Sequence, residues 1–276
     1  MRRLAILILI LSGLVGCKPT EKVEEVSTTV IPYELRADVN SGMMVLSWKL
    51  RGQALLSGYN IYLTDYSLAD AYPDGDYPES VKPVNLTVYP GDTNPDDGIV
   101  HYEALGLTNG QRYYATVRAV YPDRAMSRPS NEIQAVPGPR GTIALGLRYQ
   151  GDHDGYSFAG EKYVQADNVA NDLYFFFKDG EDILASPNRL DGFLRESKLW
   201  LLPFKGEAAE VMARVATADL PKANDKIAVR KNDWVLLRTA DNHHVLLNVK
   251  GITGQGKGRV MTLYFAVSML DGDMFF

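Results

Sequence analysis

Beyond residue 30 this chain is a succession of short runs in which every second residue is apolar or aromatic. "MMVLSWKL" (43–50), "SGYNIYLT" (57–64) and "RYYATVRAV" (112–120) are the clearest, and clusters of Gly, Pro, Asn and Asp separate them. Side chains two apart in an extended chain share a face, so each run offers one apolar face to a partner. Val45 and Leu46 lie beside Trp48, Tyr59 alternates with Ile61 and Leu63, and Tyr113 with Ala115, Val117 and Ala119. Such a chain has to pack sheet on sheet, and an all-β fold is expected. Its 16 Tyr residues point the same way.

Several positions in residues 31–137 carry a further signal. Pro32 opens the segment, Trp48 lies on the second run and Tyr59 on the third. Leu107 and Tyr113 are six apart, with the turn "LTNG" between them, and "SRPSNEIQAVP" closes the segment at Pro137. Together these resemble a fibronectin type III domain, and the resemblance implies a sandwich with Trp48, Tyr59, Leu107 and Tyr113 in its structural core. It also implies a tyrosine corner, in which the Tyr113 phenol bonds the backbone. Two insertions depart from that pattern, "DYSLADAYPDGDYPESVKPVN" and the acidic "YPGDTNPDDG". Asp92, Asp96 and Asp97 supply oxygens of the kind calcium takes, but without a fixed ligand spacing, so solvated loops are expected.

"PGPRG" (137–141) reads as a hinge that a protease reaches before either core. A second series of strands occupies 141–276: "TIALGLRY", "DLYFFFKD", "SKLWLLPF", "DWVLLRTADNHHVLLNVKGI" and "RVMTLYFAVSML". Asp241-Asn242 marks a hairpin turn. "GEAAEVMARVATADLP" holds good helix formers and stops at Pro221, which predicts one short helix. The strand Asp172–Phe175, the "VLLRTAD" hairpin and the closing aromatic strand loosely resemble the β-rich C-terminal domains of HmuY-type envelope lipoproteins. That resemblance implies a binding role and carries no ligand positions.

Residues 1–16 begin with Met1-Arg2-Arg3 and continue into an apolar run from Leu4 to Leu11. A cationic start, a short apolar stretch and small residues at its end make a secretory signal, too short to span a bilayer. Leu14-Val15-Gly16-Cys17 resembles the lipobox of bacterial lipoproteins, and Cys17 is the only cysteine in the chain. The resemblance implies that Cys17 is lipidated and anchors the protein to a membrane. Lys18, where many inner-membrane lipoproteins have Asp, implies the outer membrane. Residues 17–30 are polar, charged and without apolar periodicity, so they read as a flexible tether.

With 34 acidic against 29 basic residues, the chain has no basic excess for a nucleic-acid partner. No cofactor or metal is expected. His243 and His244 are adjacent on a strand and point to opposite faces, so they do not converge on one ion. "GDHDG" gathers Asp152, His153 and Asp154 but lacks the distal Glu of a calcium loop. No nucleophile elbow, zinc helix or phosphate-cradling glycine loop is present, so no catalytic residue is named and a non-enzymatic protein is expected. The expected function is binding or adhesion to a glycan, a protein partner or a small ligand, with an envelope-assembly subunit as the alternative. On the second domain, a concave aromatic pocket favours capture and an exposed apolar patch favours assembly.

Overall fold

The computed structural model describes residues 30–51, 55–92, 98–189 and 195–276. Cys17, the signal and the tether as far as residue 29 lie outside the described residues, as do Asp96 and Asp97. Val30, which the tether reading includes, is instead buried, and its N–H donates to the Tyr121 hydroxyl at 2.9 Å. The fold is all-β. Six strands make up the first half: β1 (Ile31–Asn40), β2 (Met43–Arg51), β3 (Gly58–Thr64), β4 (Ile99–Leu105), β5 (Tyr113–Val120) and β6 (Ile133–Ala135). They form two antiparallel three-stranded sheets in the orders β1-β2-β4 and β3-β5-β6. This is the strand arrangement of a fibronectin type III sandwich.

Alternation decides which residues fill it. On β2, Met44, Leu46 and Trp48 point inward and are fully buried, while Val45 between them is only half-buried. Across the sandwich they meet Ile61, Ala115, Val117 and Ala119, all fully buried. Trp48 packs edge-on against Tyr59 with ring centres 5.2 Å apart. Leu107 packs against this core, and Tyr113 beside it accepts a hydrogen bond from the Thr108 N–H at 3.0 Å on its phenol oxygen. That bond pins the turn before β5 to the strand. The first insertion adds only a one-turn helix, α1 (Leu68–Ala71), which Glu132 ties down by accepting from the N–H groups of Leu68 and Ala69.

The second half carries ten strands: β7 (Arg140–Gly146), β8 (Gly155–Ser157), β9 (Lys162–Val164), β10 (Leu173–Lys178), β11 (Glu181–Ala185), β12 (Lys198–Leu201), β13 (Lys226–Ala228), β14 (Trp234–Arg238), β15 (His244–Thr253) and β16 (Val260–Ser268). They make two five-stranded sheets, β12-β14-β15-β16-β7 and β13-β11-β10-β8-β9. Leu145, Leu247, Leu263 and Phe265 from the first meet Leu173, Phe175 and Leu184 from the second in one core. The outer face of the first sheet is also apolar, and α2 (Ala208–Val215) covers it. Val211 and Val215 lie on Trp234, Leu236 and Leu246. Two covered faces explain why "WVLLR" and "HVLLNV" read as continuous apolar runs. The β14–β15 hairpin turns at 239–243, where Asn242 takes φ +64°.

The hinge expectation is corrected by the structure. Residues 136–139 are buried. Pro137 O accepts from the Gly110 N–H at 2.9 Å, and Pro139 O accepts from the Val267 N–H at 2.9 Å. A side chain on Gly138 would bring a Cβ within 2.5 Å of Val267 O. Proline has no N–H of its own, but its carbonyl remains a full acceptor, and here both neighbouring halves use it. Across the same junction Arg112 pairs with Asp273 at 3.7 Å, and the Ser41 hydroxyl donates to Glu161 at 2.5 Å. The stretch is a packed joint, not a protease-accessible linker.

Candidate functional site

The outer face of the β13-β11-β10 sheet is where the second half departs from an ordinary solvated surface. On β10, Leu173 and Phe175 point into the core, so Tyr174 and Phe176 point out. Register places Tyr174 opposite Ala185 and Ala185 opposite Lys226, so these three form a row across the sheet. Tyr174 and Ala185 are themselves fully buried, with Ala166 against them. Tyr174 and Phe176 lie nearly parallel, with ring centres 5.8 Å apart.

The segment after β7 forms the wall. Leu147 bridges Phe175, and the Arg148 N–H donates to Phe175 O at 2.8 Å, which brings 147–150 alongside β10. The Arg148 guanidinium then sits over three rings, 4.9 Å from the centre of Tyr149, 5.5 Å from Tyr174 and 5.9 Å from Phe176. Tyr149 adopts φ +64°, a region unfavourable for a bulky side chain. The Asp154 carboxylate holds it there, accepting from the Tyr149 N–H at 2.5 Å and, with its other oxygen, from the Ala166 N–H at 2.8 Å. The Tyr149 ring stands 62% exposed at the rim. The result is a cleft of about 470 Å3, within the roughly 300–1,000 Å3 of ordinary ligand pockets.

Its charge is one-sided. Among the described residues, Arg148, Lys178 and Lys226 line it and no lining residue is acidic, although the chain as a whole has a net charge of −5. None of the three cations has an ion-pair partner among the described residues; Glu181 stands opposite Lys178 in register without pairing. A second cleft of about 460 Å3 lies near Trp234 and Tyr264. There Trp234 is almost wholly buried, and Lys205 pairs with Asp233.

The candidates singled out in the sequence are placed elsewhere or have structural tasks. Asp154 is 3% exposed with both oxygens on backbone N–H groups, so it organises the cleft rim from below. His153 packs edge-on against Tyr163 at 4.2 Å, and Asp152 reaches only Gln165 at 3.5 Å. His244 is buried, its Nδ1 2.9 Å from Asp273 O, and burial holds its pKa below the ordinary histidine value. Asp92 pairs with His101 at 2.7 Å on the first sandwich. No group of three or more His, Cys, Asp or Glu converges on one point among the described residues.

Two carboxylates do meet, Asp172 and Asp241, but they meet across Arg195. The Asp172 side chain is fully buried; its Oδ1 accepts from Arg195 at 2.6 Å and its Oδ2 from the Phe158 N–H at 2.9 Å. Arg195 also bonds the half-exposed Asp241. Burial pushes the Asp172 carboxyl up despite those bonds, whereas the Arg195 bonds hold Asp241 below the usual carboxylate range. A single guanidinium bridges the two carboxylates, offsets one of their two charges and occupies the space between them, so the trio ties the β14–β15 turn to the core.

The cleft residues were not among the sequence candidates. One signal marks them: "DLYFFFKD" is aromatic on both faces, where a sheet with one solvated face alternates apolar with polar.

No family model and no curated protein matches this chain. Among solved structures, it is similar over 41% of its length to a Yersinia enterocolitica family 28 exopolygalacturonase, at 20% identity and a TM-score of 0.27. That overlap spans 21% of the enzyme's own chain, about a fifth. It is also similar to the central fibronectin-III array of RIM-binding protein, at 9% identity and a TM-score of 0.28, covering 89% of this chain and 90% of that one. At these scores the fold assignment rests on strand order and register. Among the described residues no helix is long and apolar enough to cross a membrane.

Proposed function

We propose that this chain is a lipid-anchored envelope protein that captures a carbohydrate ligand in the Arg148–Tyr174 cleft, with the fibronectin type III sandwich as its spacer. The cleft carries the reading. A concave surface rimmed by the exposed rings of Tyr149 and Phe177 suits the apolar faces of sugar rings, and nearby cations and a Gln150 amide suit their oxygens. The loose HmuY-type resemblance of this half supports a binding role and nothing finer. Binding of an oligosaccharide panel to the purified chain tests it. Tyr149→Ala and Phe176→Ala are each expected to weaken binding about two- to tenfold; variants that bind like the parent would place capture elsewhere.

The anchor belongs to the same reading. Lipid on Cys17 supplies about 0.8 kcal/mol per buried methylene, and two or more acyl chains together hold firmly. Cys17→Ser is expected to abolish palmitate labelling and to move the protein from the outer-membrane fraction to the soluble one. An unchanged membrane fraction would show that something other than lipid holds the chain.

One observation favours the assembly reading. Val84, Leu86 and Val88 expose alternate apolar side chains beside β3, with Leu86 fully in solvent. That strip lies on the first sandwich and away from the cleft-bearing sheets, so it ranks second.

A further inference from the structure

Resting on the capture reading, we infer that the cleft selects an acidic glycan, one bearing hexuronate carboxylates, and that Arg148 is the residue that reads the acid. Three features argue for this. Among the described residues the lining has three cations and no carboxylate, in a chain that is acidic overall. A cleft of one sign concentrates ligands of the other. An arginine presents a planar fork that matches a carboxylate with two parallel hydrogen bonds.

The way Arg148 is held bears on the third of these. Its backbone N–H is fixed to Phe175 O, and its guanidinium rests on Tyr149, Tyr174 and Phe176. Stacking holds the plane of the fork while no acidic side chain among the described residues occupies its donors, so the group is ordered before a ligand arrives. That lowers the entropy lost on binding. Lys178 and Lys226 flank Arg148 on exposed strand positions and add attraction without fixed geometry. The exposed Tyr149 ring offers an apolar face to the sugar, which distinguishes this site from a bare phosphate cradle.

The test is calorimetric titration of the purified full chain with four probes: a linear hexuronate tetrasaccharide, its methyl ester, the neutral hexose tetrasaccharide and inorganic phosphate. The hexuronate is expected to bind at least about tenfold more tightly than its ester or the neutral sugar, a difference of about 1.4 kcal/mol. Its affinity should fall with added salt. Arg148→Lys keeps the charge but loses the fork and is expected to remove most of that preference. Lys226→Met, an exposed change that leaves the fold intact, should reduce salt dependence and affinity together.

Equal binding of hexuronate and neutral sugar, unaffected in Arg148→Lys, would overturn the acid selectivity while leaving capture of glycans standing. Binding of none of the sugars would overturn the capture reading itself. Phosphate competing as well as the hexuronate would show an anion site without sugar recognition and would also overturn the inference.

Discussion

Arg195→Met is expected to destabilise the folded chain by about 3–5 kcal/mol, because it strands a carboxylate in the core. The Asp172 side chain has no solvent exposure, and in the variant only the Phe158 N–H would still face it. Methionine fills much of the arginine's volume, so the loss is electrostatic and not a cavity effect. The sign with pH follows from the direction of the shift. Burial already raises Asp172 above its ordinary value of 3.8, and removal of Arg195 raises it further. A folded carboxyl with a raised pKa binds its proton more tightly than the unfolded one. The variant's deficit is therefore larger at about pH 7 than at about pH 4, because Asp172 takes up its proton progressively as the pH falls. Asp172→Asn in the same background should recover part of the loss, because an amide carries no buried charge. Asp241→Asn should cost under about 1 kcal/mol, since that carboxylate is half exposed. Urea unfolding of the parent and variants at the two pH values measures all of this. An Arg195→Met chain as stable as its parent at neutral pH would show the trio to be a surface contact.

The reach of the sequence can be judged from particular residues. Period-two alternation identifies the inward row of β2, because in a sandwich the buried face of a strand is set by parity alone. It does not find the cleft. Arg148 and Tyr174 are distant in sequence and meet through a parallel bridge between Leu147 and Phe175, which has no local signature. The aromatic excess of β10 is visible in the sequence, yet whether an outward ring is covered or open depends on which segment crosses it. The joint at 137–139 misleads for a related reason. Proline and glycine mark a break in regular structure, and whether that break is exposed depends on neighbours that donate to its carbonyls. For Asp154 the sequence shows only that the "GDHDG" loop lacks the distal Glu of a calcium site, and its actual task, both oxygens on the backbone N–H groups of Tyr149 and Ala166, has no local signature.

Trp48→Ala is expected to cost about 3–5 kcal/mol through lost contacts and the cavity left behind. The ring is fully buried at the centre of the first sandwich, against Tyr59 and among Met44, Leu46 and Ile61. Its indole nitrogen has no hydrogen-bond partner. Nothing polar is therefore broken by the substitution, and the whole loss is packing. Trp48→Phe tests that partition: it keeps a ring in the site and removes an unpaired N–H, whose burial costs about 1–3 kcal/mol. It should therefore lose much less than the alanine variant. The joint adds a second readout. Trp200 and Trp234 both lie in the second half, and the buried residues 136–139 bond to it through Val267. Loosening the first sandwich removes support from β6, which leads directly into that joint. Fluorescence of the two remaining tryptophans should accordingly report a lower unfolding midpoint in Trp48→Ala, in step with the loss of strand signal by circular dichroism. A tryptophan transition that stays in place while the strand signal shifts would mean that the two halves unfold independently despite their shared joint.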